Sequence, residues 1–145
     1  MRYPLKILFV NPFADVSGPE TVILRLMRGL DKERFASTLL CPEEGRLAKA
    51  ARALGLDVHI IPLEINVFTA NPLRLGYQAC VLARTVPQLA RLIRRGKYDL
   101  VHINSHRIGL TCTLAARLAR VPIIWHIHEI YQTTPLRQRI IVKLG

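Results

Sequence analysis

An α/β fold built on a doubly wound, mostly parallel sheet is what this sequence predicts, and three observations carry the prediction. Short β-type apolar runs alternate with runs of helical periodicity along all 145 residues, the pattern of parallel strands joined by crossover helices. The first run, Lys6 to Val10, is nearly continuous in apolar residues, as a strand covered on both faces must be. Chain-breaking residues, among them Gly55, Pro62 and Gly96, fall between the runs where helices and strands have to end.

In order, Lys6 to Val10 is the first strand and Asn11 to Ser17 a loop. From Glu20 the spacing of Val22, Ile23, Leu26, Met27 and Leu30 marks one apolar helix face. Ser37 to Cys41 is a second strand, Gly45 to Leu54 a short helix capped by Gly55, and Asp57 to Ile61 a third strand closed by Pro62. Residues 64 to 72 connect to a long helix from about Leu73 to Arg95, which Pro87 should kink or divide and Gly96 should end. Tyr98 to Asn104 supplies the fourth strand, Ile108 to Arg120 a helix, and Pro122 to His128 the fifth strand. Pro135 to Leu144 begins another helix.

Half of the residues are apolar, enough for one domain with a sizeable core, which excludes disordered and fibrous classes. The run Ile7 to Val10 is stopped by Asn11-Pro12 well short of a signal-peptide core, and no stretch approaches the roughly 18 apolar residues of a membrane span. Cys41, Cys80 and Cys112 are odd in number, far apart and set in apolar surroundings, which predicts buried thiols and a cytoplasmic protein.

The net charge of +11 is unevenly placed. Residues 1 to 72 hold nine Lys/Arg against eight Asp/Glu, and residues 73 to 145 hold twelve against two, so the second half favours anionic partners. Arg84, Arg91, Arg94, Arg95 and Lys97 interleave with Leu82, Val86, Leu89, Leu92 and Ile93. This predicts an amphipathic helix with a solvated basic face; docking to an anionic membrane surface is the sharper reading. Nucleic acid ranks below both, because no reading module is present and the aromatics are scattered.

In a doubly wound sheet ligands bind beyond the carboxyl ends of the strands, near the topological switch point, so the loops after strands one, four and five are the ones to read. There is no G-x-G-x-x-G and no G-x-x-x-x-G-K-[ST], which removes the dinucleotide fingerprint and the P-loop. Ser17-Gly18-Pro19-Glu20 fits a capping box, and a glycine turn at a helix N-terminus also exposes N–H groups suited to a phosphate or carboxylate. His102, His106, His126 and His128 fall at the ends of the fourth and fifth strands. His126 and His128 share a strand face with Glu129 at the exit, but without a third clear ligand the sequence argues against a metal. His128, at the strand terminus, is the functional candidate, able to hydrogen-bond a hydroxyl or a phosphate; His126 is the structural one.

Three segments together resemble the N-terminal domain of the large retaining glycosyltransferase family 4 group. They are Lys6 to Val10 followed by Ser17-Gly18-Pro19-Glu20 and an apolar helix; Tyr98-Asp99-Leu100-Val101-His102-Ile103 followed by the small-residue helix Thr111 to Ala119; and Val121-Pro122-Ile123-Ile124 with the strand ending His128-Glu129. The order and spacing match over nearly the whole chain. The family more often has two glycines where Ser17-Gly18 stands, and His where Asn104 stands. The resemblance implies a GT-B enzyme in which residues 1–145 form a Rossmann-like acceptor-binding domain, truncated at its C-terminal end. The nucleotide-sugar would be a co-substrate held by a second domain outside this chain, and no metal or other cofactor would be needed. It further implies His128 beside the transferred sugar as the catalytic residue, with Ser17, Gly18, Pro19, His102, Asn104 and Glu129 contacting substrate. The acceptor would be a glycan or lipid-linked and anionic, the location the inner face of the cell membrane, and the isolated fragment inactive. A non-catalytic, flavodoxin-like regulatory domain with an anionic ligand is the alternative, and a reading frame ending near residue 145 would favour it.

Overall fold

The computed structural model describes residues 4–65 and 71–128. Its element order is β1 (Leu5–Val10), α1 (Gly18–Gly29), β2 (Phe35–Cys41), α2 (Arg46–Ala53), β3 (Asp57–Ile60), α3 (Pro72–Gly96), β4 (Leu100–Ile103), a single 3-10 turn (His106–Ile108), α4 (Gly109–Ala119) and β5 (Ile123–Trp125). The five strands form one sheet in the order β3-β2-β1-β4-β5, every pairing parallel. This is the doubly wound α/β class expected. The chain runs outward from β1 through β2 to β3, then crosses back to β4 on the other side of β1, so the switch point lies between β1 and β4.

Alternate residues of the central strands feed two apolar cores, one on each face. Leu8, Val10, Leu40, Val101 and Ile103 pack with Leu89, Ile93, Cys112 and Ala116 of α3 and α4. Ile7, Phe9, Leu39 and Cys41 pack with Ile23 and Met27 of α1 and Leu47 and Ala51 of α2. Burying residues on both sides is why Ile7 to Val10 carries no polar alternation. Burial also pushes the Cys41 thiol up to about 11 and the Cys112 thiol up to about 12, which keeps both protonated. Cys80 departs from expectation: it is exposed on the amino half of α3, whose buried residues begin only at Thr85.

Several boundaries shift for physical reasons. Gly55, at φ +74, follows the actual cap Leu54 and supplies the left-handed residue that turns the chain toward β3. α3 ends at Gly96 as expected, but the left-handed residue after it is Lys97 and not the glycine. Glycine is required at 96 for another reason, since a Cβ there would lie 2.2 Å from Cε2 of Tyr98, whose ring fills the core beneath. Pro87 does not divide α3, which is continuous from Pro72 to Gly96. The helix expected at Ile108 opens instead with the 3-10 turn, which Ser105 caps by accepting from the Arg107 N–H at 3.2 Å. The fifth strand stops at Trp125, three residues before its expected end, because its neighbour β4 stops at Ile103. One further bond, His126 N–H to the Ile103 carbonyl at 2.8 Å, closes the ladder. The helix expected over Pro135 to Leu144 lies outside the described residues.

Candidate functional site

Two asparagines stand immediately past the last residues of β1 and β4, Asn11 after Val10 and Asn104 after Ile103, and both are buried. An amide so buried has to be hydrogen-bonded. Asn11 Nδ2 donates to the Phe13 carbonyl at 2.8 Å and to Glu20 Oε1 at 3.2 Å. Its Oδ1 accepts from Asn104 Nδ2 at 2.9 Å, and the same Nδ2 donates to the Pro19 carbonyl at 3.2 Å. Asn104 Oδ1 meets His128 Nε2 at 2.8 Å. Glu20, also buried, holds the other end: its Oε2 accepts from the Ser17 N–H at 3.1 Å and contacts the Ser17 hydroxyl, completing the capping box expected at the start of α1. A continuous chain Ser17–Glu20–Asn11–Asn104–His128 therefore ties together the loops after β1, β4 and β5.

Above this chain lies a small cleft of about 90 Å³, lined by Phe13, Ser17, Pro19 and Glu20 from the first loop, Asn104, Ser105 and His106 from the fourth, and His128 from the fifth. It sits at the switch point between β1 and β4, where a parallel sheet presents ligands to the carboxyl ends of its strands. Of the residues singled out from sequence, Ser17, Pro19, Asn104, His106 and His128 meet at this cleft. Gly18 stands next to it with open space beyond its Cα, and Glu129 lies outside the described residues. His102 is buried to the side, its ring between Phe9 at 4.9 Å and His126 at 5.5 Å. Sequence reasoning did not place Asn11, Phe13, Glu20 or Ser105 in a site, although the repeat of an apolar strand ending in Asn, Val10-Asn11 and Ile103-Asn104, is a signal that could have drawn attention to the first.

The three histidines form a row, with His126 and His128 centroids 4.1 Å apart. Burial lowers the His102 imidazole to about 4, with the nearby His126 and His128 adding in the same direction, and its Nδ1 has no hydrogen-bond partner. His126 is lowered for the same two reasons, desolvation first and then His128. His102 and His126 are therefore favoured as neutral rings. Among the described residues no group of three or more His, Cys, Asp or Glu side chains could hold a metal ion.

A family model described as Glycosyltransferase Family 4 matches residues 16–144. A UDP-Gal:alpha-D-GlcNAc-diphosphoundecaprenol alpha-1,3-galactosyltransferase of Escherichia coli is 28% identical over 122 residues, covering 84% of this chain and 29% of that protein. Among solved structures, a glycosyltransferase from Rickettsia africae superposes with a TM-score of 0.71 at 19% identity, covering 96% of this chain and 34% of that one. Anabaena HepE in complex with UDP superposes at 0.65, also at 19% identity, covering 97% and 35%. At such identities the structural likeness is one of fold. The chain spans about a third of the length of these relatives.

Proposed function

Since the chain belongs to Glycosyltransferase Family 4, we propose that it is the acceptor-side domain of a glycosyltransferase that moves a sugar from a nucleotide-sugar to a glycan or lipid-linked acceptor. The donor's nucleotide is held by a second domain facing the cleft, and the isolated chain is inactive. Transfer is metal-independent and retains configuration; the diphosphate leaving group is stabilised by preorganised groups of the second domain.

The observation that carries this reading is the convergence of three loops on His128 at the switch point. A cleft of about 90 Å³ is well below the roughly 300–1,000 Å³ of a complete small-ligand site. It suits one side of an interdomain cleft that accommodates part of a sugar. The Escherichia coli relative, named for a UDP-Gal donor and a diphosphoundecaprenol-linked acceptor, supports a nucleotide-sugar donor and a lipid-linked acceptor here. A cytoplasmic enzyme working at the inner membrane face fits the same substrates. The exposed Leu73, Leu75 and Tyr77 beside Arg74 at the amino end of α3 give it an apolar and basic surface for an anionic membrane.

The test is turnover of the full reading frame with a panel of sugar nucleotides, with and without chelator, against Gly18→Trp and His128→Ala variants checked for folding. Turnover of at least one donor, unaffected by chelator and largely lost in both folded variants, is the expected result. A full-length protein that uses no donor, or variants that match wild type, would refute the assignment and leave a non-catalytic binding domain.

A further inference from the structure

The hydrogens of the two buried asparagine amides can be placed by chemistry. The carbonyls of Phe13 and Pro19 can only accept, and the carboxylate of Glu20 accepts in the same way. Asn11 has two of these acceptors, the Phe13 carbonyl and Glu20 Oε1, on one side of its amide, so that side is Nδ2 and its oxygen faces Asn104. Asn104 then faces two oxygens, Asn11 Oδ1 and the Pro19 carbonyl, so its Nδ2 points there and its Oδ1 points at His128. A flip of either amide would set oxygen against oxygen at about 3 Å on residues that are almost wholly buried, and a buried polar atom left without a partner costs on the order of 1–3 kcal/mol. An acceptor thus lies 2.8 Å from His128 Nε2, and a neutral imidazole in that place must carry its hydrogen on Nε2.

We infer that Asn11 and Asn104 are positioning residues that hold His128 as the Nε2–H tautomer, so that its Nδ1 meets the substrate as a hydrogen-bond acceptor and recognises a sugar hydroxyl. The inference rests on the reading above that His128 faces substrate. A hydroxyl can donate to Nδ1, whereas a diphosphate at neutral pH offers only acceptors and would leave that bond unmade. The ring is oriented by two neighbours, His126, whose ring lies tilted against it at 4.1 Å between centroids, and Asn104, which holds its edge. The backbone is fixed at the middle of the chain by the β1–β4 pairing beneath Asn11 and Asn104, and at its first end by the α1 cap that anchors Glu20. Asn11 and Asn104 thus act through the imidazole, and neither needs to touch the sugar.

The proton position is read directly by long-range proton–nitrogen correlation on the full-length protein with labelled histidine, at about pH 8, above the ordinary imidazole range. His128→Gln assigns the signal. Wild type is expected to show a protonated Nε2 and an unprotonated Nδ1. Asn104→Ala should redistribute the proton between the nitrogens and lower kcat on the order of 10- to 100-fold, the usual scale for a misplaced group, with a smaller change in KM. Asn104→Asp keeps an acceptor oxygen facing Nε2 and should keep the Nε2–H tautomer, while its second oxygen, set against Asn11 Oδ1 and the Pro19 carbonyl, should lower stability in urea unfolding. A wild-type spectrum with the proton on Nδ1 overturns the inference whatever the variants do. So does a folded Asn104→Ala that keeps both the wild-type tautomer and kcat. Should the tautomer be Nε2–H while His128→Ala turns over normally, the failure lies with the placement of His128 at substrate, not with the relay.

Discussion

The carboxyl ends of β1 and β4 and the amino half of α3 are both candidate contact regions, and they are built in opposite ways. At the strand ends, Asn11, Glu20 and Asn104 are nearly inaccessible and bonded to one another, so each polar atom has a fixed direction. Along α3, every buried residue lies from Thr85 onward; Leu73 is 84% exposed and Tyr77 60%, which leaves apolar side chains at the surface. Directional bonds in a dry pocket select a ligand by the placement of its hydrogens. Loose apolar groups beside arginines on a helix impose no such direction and suit a fluid, charged surface. Specific and non-specific contacts would then be divided between two parts of one domain.

If the strand-end network is integral to the fold, breaking it should be the most costly change in the molecule. Asn11→Leu keeps the approximate size of the side chain but removes the partner of both Glu20 Oε1 and Asn104 Nδ2. With about 1–3 kcal/mol for each buried group left short of a bond, the expected loss is about 4 kcal/mol, measured by urea unfolding. A loss below about 1 kcal/mol would mean that water replaces the amide, and the contrast with α3 would disappear.

The histidine row gives the next largest effect. The His102 imidazole is held near 4 in the folded protein against 6.5 for an ordinary histidine, so the unfolded chain binds the proton more readily. Stability is therefore full above about pH 6.5 and declines as pH falls toward 4, below which this group contributes no further change. The interval corresponds to about 3 kcal/mol at 1.36 kcal/mol per pH unit. His102→Leu should flatten that decline in unfolding experiments between pH 7 and 4. A wild-type protein as stable at pH 4.5 as at pH 7 would contradict it.

The two regions were also unequally legible in the sequence. Core strands could be read because burial on both faces demands unbroken apolar runs such as Ile7 to Val10, and the capping box could be read because its four residues are adjacent. His128 and Asn104 were placed by the rule that strand ends face the crevice and by family resemblance. Asn11 was read only as the first residue of a loop. Its place in the network depends on contact with Asn104, 93 positions away, and alternation of strands and helices does not state that β1 and β4 are neighbours. The fifth strand was read too long for a related reason, since an apolar run shows what can pair while the length of the neighbouring strand decides what does. Gly96 marks the end of α3 correctly, but for another reason than a left-handed cap, since the close Tyr98 ring is what requires glycine there.

The smallest expected change in stability belongs to the amino half of α3, and it tests the other side of the comparison. Its first turn does not depend on the apolar residues: Asn71 Oδ1 accepts from the N–H groups of Leu73 and Arg74 at 3.0 and 3.3 Å, and Tyr77 donates to Glu64 Oε1 at 2.8 Å. Replacing Leu73 and Leu75 with Ser removes exposed leucines and leaves those bonds in place. Unfolding free energy of the full-length protein should change by less than about 0.5 kcal/mol per site, as at other uncommitted surface positions. Sedimentation with phosphatidylglycerol vesicles should weaken on the order of tenfold, because each leucine that enters a bilayer interface contributes about 1.5–3 kcal/mol when fully buried and a part of that at the surface. A stability loss of several kcal/mol would place these leucines against another part of the protein, and the division between a rigid site and a free surface would fail at α3. Unchanged stability with unchanged vesicle binding would keep the surface free and remove the membrane from it.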